Sequence, residues 1–160
     1  MVGLAVTAVV VGFSACRPSI QSACDLLTTD EAEEVLGVPV HDGVEDTDRT
    51  IEQTYCEWIA IGSDVTEGGE PAYLVYVTEG TDSDTRRDWD DGLTRGDKEP
   101  IAGLGDEAYF VTRSDLPDIH VRVGARVMII GVAGERRHPV NDQKARRILR
   151  IAAEFVTQRA

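Results

Sequence analysis

The sequence predicts an α+β fold: a mostly antiparallel sheet of five or six strands with helices packed on one face. Three observations carry that expectation. Short runs such as Gln53 to Ile61 and Ile119 to Val123 alternate apolar and polar residues, the period of a half-buried strand. A capped short helix follows Cys24, and an amphipathic helix closes the chain. The order reads helix, strands, helix, strands, helix, and the short glycine-bearing links between strands favour hairpins over parallel crossovers.

Thr28-x-x-Glu31 is a capping box, in which the Thr28 hydroxyl accepts from the Glu31 amide and the carboxylate returns to the Thr28 amide. Leu27 faces Ala32 as a hydrophobic staple, and Gly37 offers the left-handed position that ends a helix. The first helix is therefore expected from Thr29 to Leu36. Val38 to Thr50 is acidic and irregular, with room for one edge strand. In Gln53 to Ile61, Cys56, Trp58 and Ala60 share one face, and Tyr55, Glu57, Ile59 and Ile61 share the other. Ser63 to Pro71 reads as a turn, and Ala72 to Thr78 as a central strand forming a hairpin with the preceding one.

Asp82 to Leu93 reads as a second helix, with Trp89 and Leu93 toward the sheet. Thr94 to Ile101 reads as a polar loop, and Gly103-Leu104-Gly105 leads into a strand from Glu107 to Thr112. Ile119, Val121 and Val123 alternate with His120 and Arg122. Gly124-Ala125 suits a type II′ turn, after which Val127 to Val132 returns as an apolar strand. This pair is expected near the sheet centre. Asn141 caps the final helix, whose inward face is Ala145, Ile148, Leu149, Ala152, Phe155 and Val156.

Upstream of the folded part, Leu4 to Phe13 is an uncharged, mostly apolar run of signal-peptide length. It is shorter than the roughly 20 residues of a membrane span. Ser14-Ala15-Cys16 follows, and the stretch resembles a bacterial lipobox, in which the signal is removed and the cysteine thiol carries a lipid. No Lys or Arg precedes the run, and Phe13 stands where Leu is usual. A plain signal peptide and a buried N-terminal element are the alternatives. The lipobox reading divides the chain into a signal over 1–15, a lipidated Cys16 with a short tether over 16–23, and one α+β domain over 24–160.

The chain has three cysteines, Cys16, Cys24 and Cys56. An odd count in an exported protein needs an explanation. Lipidation of Cys16 leaves Cys24 and Cys56 as an even pair, and a disulfide between them is expected. Two buried thiols are the alternative, since two cysteines alone cannot build a structural zinc site.

The formal charge is −13, with 42% hydrophobic and 28% charged residues, an ordinary globular composition. From Gly131 onward seven basic residues outweigh three acidic ones, so the acidity lies in the body of the domain. Such a surface argues against broad contact with nucleic acid or anionic lipid. The basic run Arg146, Arg147 and Arg150 on the last helix reads as a solvated face, with anionic lipid or a partner as the alternative contact.

Cys24-Asp25-Leu26-Leu27-Thr28, then Cys56-Glu57-Trp58, then Gly103-Leu104-Gly105-Asp106-Glu107-Ala108 resemble the corresponding segments of small actinobacterial lipoproteins of unknown function. The last segment is also similar to one in the extracellular sensor domains of actinobacterial receptor kinases. The resemblance implies an envelope location, at the outer face of the cytoplasmic membrane, and an α+β domain. It brings no catalytic residues.

The residues themselves offer little chemistry. Gly103-x-Gly105-x-x-Ala108 matches a dinucleotide fingerprint in form, but a strand follows it where a helix is required. Asp82, Asp84, Asp88, Asp90 and Asp91 lack the glycine of a calcium loop. His41, His120 and His138 have no metal-ligand spacing, and neither Ser63 nor Ser114 lies on a nucleophile elbow. No catalytic, cofactor or metal site is expected.

The expectation is a non-enzymatic binding or sensor-like module. It meets the membrane through its N-terminal lipid and takes an envelope protein or an apolar ligand. The rival is an envelope enzyme acting on cell-wall or lipid substrates through acids such as Asp106 and Glu107. The binding face is expected on the side of the sheet away from the helices, solvent-exposed and marked by His120 and Arg122.

Overall fold

In the computed structural model the described residues are 22–48, 53–63, 73–80, 87, 97–112, 116–134 and 139–160. The helices among them are α1 (Ala23–Leu26), α2 (Thr29–Leu36) and α3 (Asp142–Arg159). The strands are β1 (Val44–Asp48), β2 (Gln53–Ile59), β3 (Leu74–Gly80), β4 (Asp97–Pro100), β5 (Glu107–Thr112), β6 (Pro117–Val123) and β7 (Arg126–Ala133). They form one sheet in the order β1-β2-β3-β7-β6-β5-β4, antiparallel at every pairing.

The sheet thus has seven strands among the described residues, where five or six were expected. The strand read from sequence as a loop is β4. Asp97-Lys98-Glu99-Pro100 has no apolar alternation, and all four residues are exposed. It exists because Asp97 to Pro100 pair with Thr112 to Tyr109 of β5. A proline is tolerated there because β4 is an edge strand. The helix expected from Asp82 to Leu93 lies outside the described residues except for Arg87, which is helical. The turn over Ser63 to Pro71 lies outside them except for Ser63, as does the whole of 1–21.

One row of side chains shows how the core is built. Cys56 lies opposite Val77, Val77 opposite Ile130, Ile130 opposite Ile119, and Ile119 opposite Phe110. All five are buried, and Trp58, Val75, Val121, Met128 and Val132 extend the same face. α3 covers it with Ala145, Ile148, Leu149, Ala152, Ala153 and Val156, and α1 adds Ala23 and Leu26. Each large side chain fully withdrawn from water here contributes about 1.5–3 kcal/mol.

The local signals operate as the sequence implies. The Thr28 hydroxyl accepts from the Glu31 amide at 3.3 Å, and Glu31 Oε2 accepts from the Thr28 amide at 2.9 Å. Gly37 takes φ 73° and donates to the Glu33 carbonyl. The Asn141 side chain accepts from the Lys144 amide at 2.8 Å.

The Cys24–Cys56 disulfide joins α1 to β2, with Cα atoms 5.2 Å apart. The chain entering β1 crosses closely over it. A Cβ on Gly43 would come within 2.8 Å of Cys56 Sγ and 2.7 Å of Trp58 Nε1.

Candidate functional site

His120 and Arg122 alternate with the buried Ile119 and Val121, so both project from the sheet away from the helices, as expected. The exposure of His120 differs from expectation. His120 is 0% exposed, and Val111 and Val127 on the same side are buried as well. The expectation of an open, wet face at His120 is therefore corrected. Alternation decides which side of a sheet a residue faces, but carries nothing about what lies over that side. Beside His120 in the sheet are Tyr109 and Ile129, two large side chains on the neighbouring strands.

Arg122 does reach solvent, its side chain 40% exposed. It donates to Glu107 Oε2 at 3.1 and 3.3 Å, while Glu107 Oε1 accepts from the Tyr109 hydroxyl at 2.6 Å. Tyr109, followed by Arg122, holds the Glu107 carboxyl below its usual range. Glu107 in turn pushes the Tyr109 hydroxyl up.

The same motif recurs along this face. The Tyr55 hydroxyl donates to Glu57 Oε2 at 2.9 Å, and burial followed by Glu57 pushes it well above a normal phenol. The Tyr76 hydroxyl reaches across β7 to Asp118 Oδ1 on β6, at 3.2 Å. It crosses where β7 carries Gly131, and a Cβ there would overlap the Tyr76 ring. Tyr55 and Tyr76 have ring centroids 5.6 Å apart. The face therefore presents three half-buried tyrosine–carboxylate pairs.

Asp106 and Glu107, the acids on which an enzyme reading would rest, have separate partners. Asp106 Oδ2 accepts from the Gly124 amide at 2.7 Å and secures the β6–β7 turn, where Gly124 has φ 59°. Glu107 is held by Arg122 and Tyr109. The Gly103-Leu104-Gly105 segment is a fitted turn. Leu104 is buried, and a Cβ on Gly105 would meet the Arg122 carbonyl oxygen at 2.5 Å. Among the described residues no cluster of His, Cys, Asp or Glu could hold a metal ion.

The arginines of α3 are mostly tied down. Arg146 pairs with Asp142 and with Glu99 of β4, at 3.0 and 2.8 Å, and lies over the Phe110 ring. Arg150 pairs with Glu154 at 3.4 Å. Arg159 binds both oxygens of Glu31, at 2.6 and 2.7 Å, joining the end of α3 to the start of α2. The Arg159 bonds hold the Glu31 carboxyl below its usual range.

A groove of about 190 Å³ runs between the end of α2 and α3. Val35, Leu36, Ile148 and Ile151 supply its apolar walls, and Lys144 and Arg147 its cations. Beneath it, the buried Tyr73 donates from its hydroxyl to the Leu36 carbonyl at 2.8 Å, and Lys144 Nζ lies 4.6 Å from the Tyr73 ring centre. Sequence reasoning did not find this groove. The signal it left is Ile151, an apolar residue outside the inward stripe of the last helix.

No protein-family model, curated protein or solved structure matches the chain. Among the described residues no helix is long and apolar enough to cross a membrane.

Proposed function

We propose that this is an exported envelope protein, anchored by a lipid on Cys16 at the outer face of the cytoplasmic membrane. Its domain acts as a binding or sensor-like module for a partner protein or an apolar ligand. The observation that carries the reading is the pairing of Cys24 with Cys56. Disulfides persist in oxidising compartments, which favours export. The pairing leaves Cys16 as the odd cysteine, at the end of an apolar run of signal-peptide length and beside two small residues. In this reading 1–15 is removed, Cys16 bears the lipid at the head of a short tether, and the working domain follows. The resemblance to actinobacterial lipoproteins and kinase sensor domains points the same way. The proposal gives the domain no catalytic step, cofactor or nucleic-acid partner.

Two surfaces of the domain suit recognition. The tyrosine–carboxylate face combines partly exposed rings with fixed acceptors, and the α2–α3 groove offers apolar walls beside cations. The test of the anchor is Cys16→Ser. The native chain should fractionate with membranes and carry the mass of an acyl modification at Cys16. The serine form should leave the membrane fraction. Retention of the serine form in membranes at unchanged apparent mass would overturn the lipoprotein reading.

A further inference from the structure

We infer that the α2–α3 groove binds a small amphipathic anion, an apolar stem bearing one carboxylate or phosphate, with Arg147 as its anchor. The inference rests on the reading of the domain as a module for an apolar ligand, and not on the lipid at Cys16. Its size class comes from the cavity. About 190 Å³ accepts a chain of several carbons, yet falls below the ~300–1,000 Å³ of pockets for larger ligands.

Its charge comes from Arg147. Arg146, Arg150 and Arg159 on the same helix each hold a carboxylate. Arg147 is exposed at the groove and has none among the described residues, in a chain whose net charge is −13. Lys144, one turn earlier and lining the same groove, rests on the Tyr73 ring and pairs with no acid among the described residues. Two cations three residues apart lie on one helix surface and can share a single anionic group.

The orientation follows from the opposite wall. Glu34 lines the groove on the α2 side, where the negative end of the helix dipole also lies. Both repel an anion there, so the head group belongs at Arg147 and the stem lies along Val35 and Leu36. A cationic head would find the α2 end partly occupied already. The Glu33 carbonyl accepts from Gly37 and the Leu36 carbonyl from Tyr73.

The test is methyl NMR of the purified protein, following Ile148 and Ile151 during titration with octanoate, octyl phosphate, octylammonium and acetate. Octanoate or octyl phosphate should shift both methyls saturably, and the tighter of the two identifies carboxylate or phosphate as the source. Acetate and octylammonium should not shift them. Arg147→Gln should weaken the anion about tenfold, as expected for loss of a charge-assisted hydrogen bond, without moving the melting temperature. The inference is overturned by the absence of saturable shifts with either anion. It is equally overturned by octylammonium binding as tightly, or by unchanged affinity in Arg147→Gln. Shifts confined to the Tyr55–Tyr76 face would also overturn the groove, while leaving the domain's reading as a binding module intact.

Discussion

Replacing both Cys24 and Cys56 with alanine isolates what the bridge contributes. The two residues are 32 apart in sequence. In the chain-entropy model a loop of that length restricts the denatured ensemble by about 3.7 kcal/mol at 25 °C. The native state loses little else in compensation. Ala23 and Leu26 of α1 remain buried in the core, so the helix keeps its apolar docking when the bridge is gone. The expected loss is therefore about 3–4 kcal/mol, or roughly 7–15 °C in melting temperature for a domain of this size. Equilibrium urea unfolding, followed by far-UV circular dichroism, measures it. The urea slope should rise as well, because an uncrosslinked denatured chain exposes more surface. Mass analysis without reductant should show the native protein two hydrogens lighter than its reduced form. A double variant within about 1 kcal/mol of the native protein, with the same slope, would refute the entropic account. Freely alkylated Cys24 and Cys56 in the folded, oxidised protein would remove the bridge itself and the export argument built on it.

Arg159→Gln should cost about 1 kcal/mol near neutral pH, a bidentate pair discounted because the Arg159 side chain is 34% exposed. The Glu31 carboxyl is lowered in the native state, so its contribution is present above the ordinary carboxylate pKa and lost as pH falls through the native one. Urea melts should show the native and variant proteins converging in acid; a gap that does not change with pH would refute the pair as its source. His120→Ala should cost about 2 kcal/mol or more because the side chain is fully buried, whereas Arg122→Ala should stay within about 1 kcal/mol. Equally small losses for the two variants would contradict the burial of His120.

Much of the fold is legible in the chain because its signals are local. The capping box at Thr28 and Glu31 and the left-handed Gly37 bound α2 at the residues expected. Alternation places Cys56 and Trp58 on one side of β2 and Tyr55 and Glu57 on the other, and hairpin spacing makes β6 and β7 neighbours near the sheet centre. The odd cysteine count led to the Cys24–Cys56 bridge. These features depend on residues a few positions apart, or on a parity that holds wherever the strand is placed.

The candidate sites depended on contacts between distant segments, and there the sequence is silent. β4 has no pattern of its own and becomes a strand only by pairing with β5. The periodicity of β6 points His120 away from the helices, yet its burial is decided by what lies over that side. Tyr76 meets Asp118 across an intervening strand because Gly131 leaves room for the ring. Arg159 finds Glu31 at the far end of the domain, and Arg147 differs from its neighbours only through which acids the fold brings near. Backbone periodicity and caps are short-range consequences of dihedral geometry, so the sequence by itself determined the capped helices α2 and α3, the alternating strands and the facing of their side chains. Coverage, ion pairing and cavities arise from which surfaces meet when distant segments pack, and only the tertiary structure decided those.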